Sequence, residues 1–252
     1  LEEEEKLPIT DHLEEMRSRI IKCLIAVGVG FVGTYAFSEQ IFDFLISPLV
    51  RVMPEGSSLI YTSLPEAFLT YLKVSFFAGL VLAIPVILYQ LWKFVLPGLH
   101  RNESRYVLPF VIMATIFFLV GAGFAFFVVF PLGFKFFLGF STDNISALPS
   151  LKEYLSLSIR LLLAFGITFE LPVVMYFLAK LGIVNYQMLA HQRKYAIMIV
   201  VVVAAVLTPP DVISQILLAI PLIGLYEVSI WVTRFVNKSK DEDRSEDEPD
   251  ES

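Results

Sequence analysis

The side chains best placed for chemistry are carboxylates that stand where hydrocarbon begins. Glu15 lies in residues 8–20, PITDHLEEMRSRI, which read as a short amphipathic helix. Asp11 followed three residues later by Glu14 is a helix-start pattern, and Leu13, Met16 and Ile20 recur at helical spacing. Arg17 and Arg19 lie close to Glu15. Glu15 and Arg19 are four apart with the acid first, the favourable order for an intrahelical pair. The same carboxylate, at the mouth of a membrane protein, could instead receive a cation from outside. Glu103, in HRNESRYVLP, precedes another apolar run by a few residues, where the macrodipole of the following helix would by itself stabilise a carboxylate. Two carboxylates on one rim could hold two guanidinium groups, each through charge-assisted forked hydrogen bonds. Glu170, in FGITFELP, lies deep in a further apolar run. Ionisable residues at that depth face a partner or a wet cavity, and the alternative is a neutral, protonated acid. Arg160 is ten residues away, about 15 Å along a straight helix, too far for a pair.

Enzyme signatures are absent. The chain has no HExxH, no GxSxG and no phosphate loop, and His12, His100 and His191 have no ligand-spaced partner. Its one cysteine, Cys23, lies in the first apolar run and builds neither a disulfide nor a metal cluster. No catalytic residue, metal, cofactor or nucleic-acid partner is expected.

The elements that must position these groups are membrane spans. Apolar residues make up 56% of the 252 and charged residues 17%, with mean hydropathy +0.72, where a soluble domain is about a quarter charged. The net charge of -6 belongs to the ends: residues 1–6 carry -3 and residues 237–252 carry -5, which leaves +2 on everything between. Residues 237–252 have the composition of a solvated, disordered acidic tail. Residues 1–236 read as one membrane domain with spans at about 20–37, 68–92, 106–130, 154–181, 195–207 and 212–232. No cleavable signal sequence is expected, because a long acidic stretch precedes the first run and no small-residue cleavage site follows it.

Gly28, Gly30 and Gly33 in the first run would let a neighbouring helix approach. Residues 38–65 form a polar connection with a short helical piece around 41–49. Lys73 reads as a snorkelling side chain, and Glu227 reaches the interface from the last run. Pro85, Pro172 and Pro221 lie inside spans and bend them, which favours a curved, open assembly. The fifth run has 13 residues, about 20 Å of helix against roughly 30 Å of hydrocarbon. Such a segment thins the bilayer, lies re-entrant or recruits flanking residues. Fourteen of the nineteen bases flank one side: the N-terminal segment, the second and fourth loops and the C-terminal segment. Arg51, Lys135 and Lys152 are on the other. By the positive-inside rule both termini are cytoplasmic.

HLEEMRSRI, FVLPGLHRNE ending in Glu103, FGITFELPV and LTPPDVISQ occur in this order. Together they resemble the TatC family, the multispanning subunit of the twin-arginine protein translocase, from residue 8 to about 234. Met16 stands where the family usually has Leu, and the acidic ends lie outside the resemblance. The resemblance implies an all-α, six-span cupped protein of the inner (cytoplasmic) membrane. It implies that twin-arginine signal peptides of folded proteins are received at the cytoplasmic face. It places Glu15 and Glu103 against the two arginines, with Phe94 in the same surface beside Arg17 and Arg19, and turns Glu170 to the concave side. Pro48 and Asp211 fall in outer segments important for assembly or transport, and Gln215 at a contact with the single-span partners TatA and TatB. Self-association in a receptor complex is also implied. The competing reading from the residues is an ion-coupled transporter of a small solute with Glu170 as proton carrier, although the paired repeats of such transporters are not visible. A membrane scaffold without a transport role of its own is the third reading.

Overall fold

The computed structural model describes residues 9–54, 58–95, 107–140, 148–208 and 211–247. Among these it is all-helical apart from one isolated bridge between Ile60 and Ser150. Five helical stretches are long and apolar enough to cross a membrane: Leu13–Tyr35, Leu64–Phe94, Leu108–Leu138, Leu151–Lys180 and Val212–Asn237. A sixth apolar helix, Arg193–Leu207, has 15 residues. Large apolar side chains such as Leu24, Val29, Val32 and Phe127 stay exposed, as they must where the surrounding solvent is hydrocarbon rather than water. The chain forms two compact units, one of residues up to Ser47 with Tyr61–Thr115, the other of Pro48–Ile60 with the residues from Ile116 onward.

In the first unit α1 (Ile9–Tyr35) packs along α3 (Leu64–Val95). Of the three glycines expected to admit a neighbour, only Gly30 does so. A Cβ on Gly30 would lie 2.6 Å from the carbonyl oxygen of Gly79, whereas Gly28 and Gly33 face open space. The crossing is locked by Thr34 Oγ1, which donates to the Ser75 carbonyl at 2.7 Å. At the start of α3, Glu66 makes the carboxylate half of a capping box. The Glu66 carboxylate accepts from the backbone N–H of Thr62 at 2.9 Å and of Ser63 at 3.4 Å, satisfying donors that a helix start leaves open. α2 (Ser38–Val50) is longer than the piece expected at 41–49 and carries Pro48 inside.

The second unit departs from the expected spans in three places. The third run does not end near residue 130. After α4 (Val107–Phe124), a π-helical turn, Ala125–Val129, leads directly into α5 (Phe130–Leu138), and Pro131 sits in the first turn of α5. A proline is tolerated there because its missing N–H is one that a helix start cannot pair, and the wider turn absorbs the offset. The fourth run divides at Glu170 into α6 (Leu151–Phe169) and α7 (Leu171–Lys180), with Pro172 opening α7. In an unbroken helix the ring of Pro172 would collide with the carbonyl four residues earlier, so the helix breaks just before it. α7 ends in a Schellman turn: Gly182, at φ 77°, donates to Ala179 while Ile183 donates to Leu178.

The third departure is at the C-terminus. α10 (Val212–Asp247) runs on through Asn237 into the acidic segment expected to be disordered, which contains neither Gly nor Pro before Pro249. Between these elements, α8 (Tyr186–His191) starts at Asn185, whose Oδ1 caps the Met188 N–H at 2.8 Å. α9 (Arg193–Leu207) begins two residues before the expected 195. The core of this unit is aromatic: Phe126, Phe130, Phe134 and Tyr154 follow one another at centroid distances of 6.0, 5.4 and 5.1 Å.

Candidate functional site

The rim of the first unit is assembled from the start of α1 and the end of α3. Arg19 joins them. Its Nε donates to Glu15 Oε1 at 3.1 Å and its Nη2 bonds the same oxygen. Nη2 also reaches the Lys93 carbonyl at 3.2 Å, and Nη1 approaches the carbonyl and Oε1 of Gln90 at 3.5 and 3.4 Å. A guanidinium placed on the last carbonyls of a helix meets both their unpaired lone pairs and the negative end of the dipole. The Arg19 side chain is 11% exposed and that of Glu15 39%. The internal pair read from the i,i+4 spacing is thus present. It is not the freely solvated pair that spacing alone suggests, because Arg19 spans two helices. Arg17 is exposed, as is Glu14. Phe94 is half-buried in the last turn of α3, beside the Lys93 carbonyl that Arg19 grips, and Trp92 packs edge-on against Phe110 at 4.5 Å. Glu103 lies outside the described residues, as do His100, Arg101 and Arg105.

The second unit holds the remaining polar candidates, and they do not form one cluster. Glu170 occupies the break between α6 and α7, its N–H bonded to the Ile167 carbonyl at 3.1 Å. Both carboxylate oxygens are buried and neither accepts a hydrogen bond among the described residues; no pair with Arg160 forms. Asp211 caps α10, with Oδ1 accepting from the Ser214 N–H at 2.7 Å. Gln215 sits on α10 and donates to the Val201 carbonyl of α9 at 3.0 Å, tying the two helices near their join. At the opposite end of the same pair, Arg193 grips Glu227 with both arms, at 2.8 and 3.0 Å, so Glu227 is held by a partner rather than merely reaching the interface. Tyr226 Oη donates to the Leu189 carbonyl at 2.9 Å. Pro48 is buried.

Sequence reasoning missed Gln90 as a partner of Arg19 and missed the cap made by Glu66. The cap was visible, since Ser63–Leu64–Pro65–Glu66 has the capping-box spacing. The role of Gln90 depends on how α1 registers against α3, which local spacing does not encode. The site contains no group of three or more His, Cys, Asp or Glu residues able to hold a metal among the described residues.

The family model described as "Sec-independent protein translocase protein (TatC)" matches residues 11–221. The chain is 55% identical over 244 residues to a Sec-independent protein translocase protein TatC of Desulforapulum autotrophicum, covering 97% of this chain and 90% of that protein. It is 39% identical to the TatC of Escherichia coli over 92% of this chain and 90% of the relative. Among solved structures, the crystal structure of a twin-arginine translocase receptor, TatC, superposes with a TM-score of 0.81 at 39% identity, covering 90% of this chain and 99% of that one.

Proposed function

The chain belongs to the TatC family of Sec-independent protein translocase proteins, and on that premise we propose that it is the receptor subunit of a twin-arginine translocase. The observation that carries the proposal is the family match across 11–221 together with the likeness to the TatC receptor structure. In this reading the rim carboxylates Glu15 and Glu103 take the two arginines of a signal peptide, and Phe94 offers an apolar surface beside them. Arg19 positions Glu15, holding the carboxylate against the end of α3 while leaving it accessible. Arg17 lies exposed on the same helix and completes the charged rim. The six apolar helices span the inner membrane. The outer segments include Pro48 and Asp211, Glu170 lies within the membrane, and Gln215 lies where the single-span partners TatA and TatB dock. Copies of the chain associate in a receptor complex. The direct test is capture of a twin-arginine peptide by the purified full chain. Proton-driven uptake of a small solute into liposomes would instead favour the ion-coupled transporter, which has no support from the comparisons.

Two further expectations follow from this reading. The base asymmetry places both termini in the cytoplasm. With Cys23 removed, a single cysteine at Tyr61 should react with an impermeant reagent added to intact cells, and one at Ser239 should not. Labelling of both from outside would sink the topology. The second expectation concerns α9, whose 15 residues make about 22 Å of helix against roughly 30 Å of hydrocarbon. A short span thins the bilayer beside it and lowers the barrier to a polar chain. Four leucines inserted after Val202 should leave peptide capture intact and cut transport several-fold. Unchanged transport would show that the short span has no part in it.

A further inference from the structure

The second unit contains a cleft of about 440 Å³ along α6. Two charges of opposite sign line it, Glu153 in the first turn of α6 and Arg160 further along the same helix. Both side chains are exposed, and neither forms an ion pair or hydrogen bond among the described residues. They are seven residues apart, just short of two full turns, so they share one helix face about 10 Å apart along the axis. Arg160 lies further from the start of α6 than Glu153. Helical side chains lean toward the N-terminus of their helix, which turns its long stem toward Glu153. The hydroxyl-bearing residues Ser150 and Thr208 also line the cleft, and Phe137 and Leu157 supply apolar wall.

A guanidinium on a membrane-spanning helix requires an anion or water, and a protein that leaves a carboxylate two turns above it presents a dipolar slot with a greasy wall. The complementary molecule has a phosphate, a primary ammonium a few ångströms away and an acyl chain. We propose that this cleft binds a zwitterionic aminophospholipid, with the phosphate on Arg160, the ammonium on Glu153 and an acyl chain along Phe137 and Leu157. A guanidinium matches a phosphate through two parallel N–H bonds, and the ammonium donates to the carboxylate. A choline headgroup has no N–H to donate. A glycerol headgroup brings no cation to Glu153 and a net negative charge that Glu153 repels. The proposal rests on the chain being embedded in a bilayer and not on signal-peptide capture, so its failure would leave the receptor reading untouched.

The test uses the purified full chain in detergent, offered equal amounts of phosphatidylethanolamine, phosphatidylcholine and phosphatidylglycerol of matched acyl length, with retained lipid read by native mass spectrometry. The parent should retain phosphatidylethanolamine at least fivefold over either competitor. Arg160→Gln should lower its retention to the level of phosphatidylcholine. Glu153→Gln should remove the preference for it over phosphatidylcholine while leaving phosphatidylcholine retention unchanged. Thermal melting of each variant reads the fold separately, and the parent's own lipid preference decides the matter even where a variant melts early. Equal retention of the three lipids by the parent would show annular lipid only and overturn the site. A folded Arg160→Gln or Glu153→Gln that keeps the full preference would overturn it as well.

Discussion

Gly79→Leu is expected to separate α1 from α3 and to lower the melting temperature of the detergent-solubilised protein more than any other single change at this crossing. A Cβ on Gly79 would collide with the backbone of Phe31 and lie 2.8 Å from the carbonyl carbon of Gly30. These are backbone atoms of a regular helix. They cannot rotate away as a side-chain end would, so the helices must move apart. Overpacking in a core typically costs about 1–3 kcal/mol; here the cost should reach at least the top of that range, because the Thr34 bond to Ser75 is lost with the contact. Gly28→Leu and Gly33→Leu are the controls. They sit on the same helix and meet nothing within 4 Å, and leucine improves on glycine in a helix by about 1 kcal/mol. Both should melt at or slightly above the parent. The separation should also carry away the grip of Arg19 on Gln90 and Lys93, and with it the placement of Glu15. If Gly79→Leu melts with Gly28→Leu, the close crossing does not exist.

Glu15→Gln is expected to weaken capture of a twin-arginine peptide about tenfold while melting close to the parent. The amide keeps the shape and one acceptor for Arg19, whose other bonds, to Gln90 and Lys93, remain. What disappears is the negative charge offered to the peptide. Hydrogen bonds to a charged group are worth about 1.5–3 kcal/mol, and each 1.4 kcal/mol is about tenfold in affinity. A carboxylate 39% exposed is screened by water and salt, so the lower end applies. Glu103→Gln should behave alike. A twin-lysine peptide should bind the parent more weakly than twin-arginine, because an ammonium cannot make two parallel bonds to one carboxylate, and both peptides should weaken as salt rises. Glu15→Ala is a harsher change than an exposed i,i+4 pair would suggest. It leaves the largely buried Arg19 with carbonyl partners and no counter-charge, and a measurable loss of stability should accompany the loss of capture. Undiminished capture by both Gln variants would reduce Glu15 and Glu103 to helix-start charges.

Much of the site was legible because its parts are local. Glu15 to Arg19 is a matter of four residues on one helix, and Pro172 announces a bend in the fourth run, which in the structure is a full break at Glu170. The short α9 is likewise written into consecutive residues. The third run continues past its expected end near residue 130, through Pro131 and on to Leu138. A proline ends a helix only if the backbone cannot supply a turn that tolerates the missing N–H, and the π-helical turn at Ala125–Val129 supplies one.

Composition, hydropathy runs and the bias of basic residues determined by themselves that this is an all-helical, multi-pass membrane protein. They did so because hydrocarbon solvates no backbone polar group, so long apolar runs have almost no choice but helix. The tertiary structure decided which polar groups meet. One glycine of three on α1 became a contact because Gly79 lies opposite it. Arg19 changed from one half of a surface pair to a bolt between two helices because α3 ends beside it. Glu153 and Arg160, unremarkable seven residues apart in the chain, line one cleft because α5 and the end of α9 wall it in. Helix formation is set by neighbours in sequence, whereas register and facing are set by atoms dozens of residues away, and no local pattern carries them.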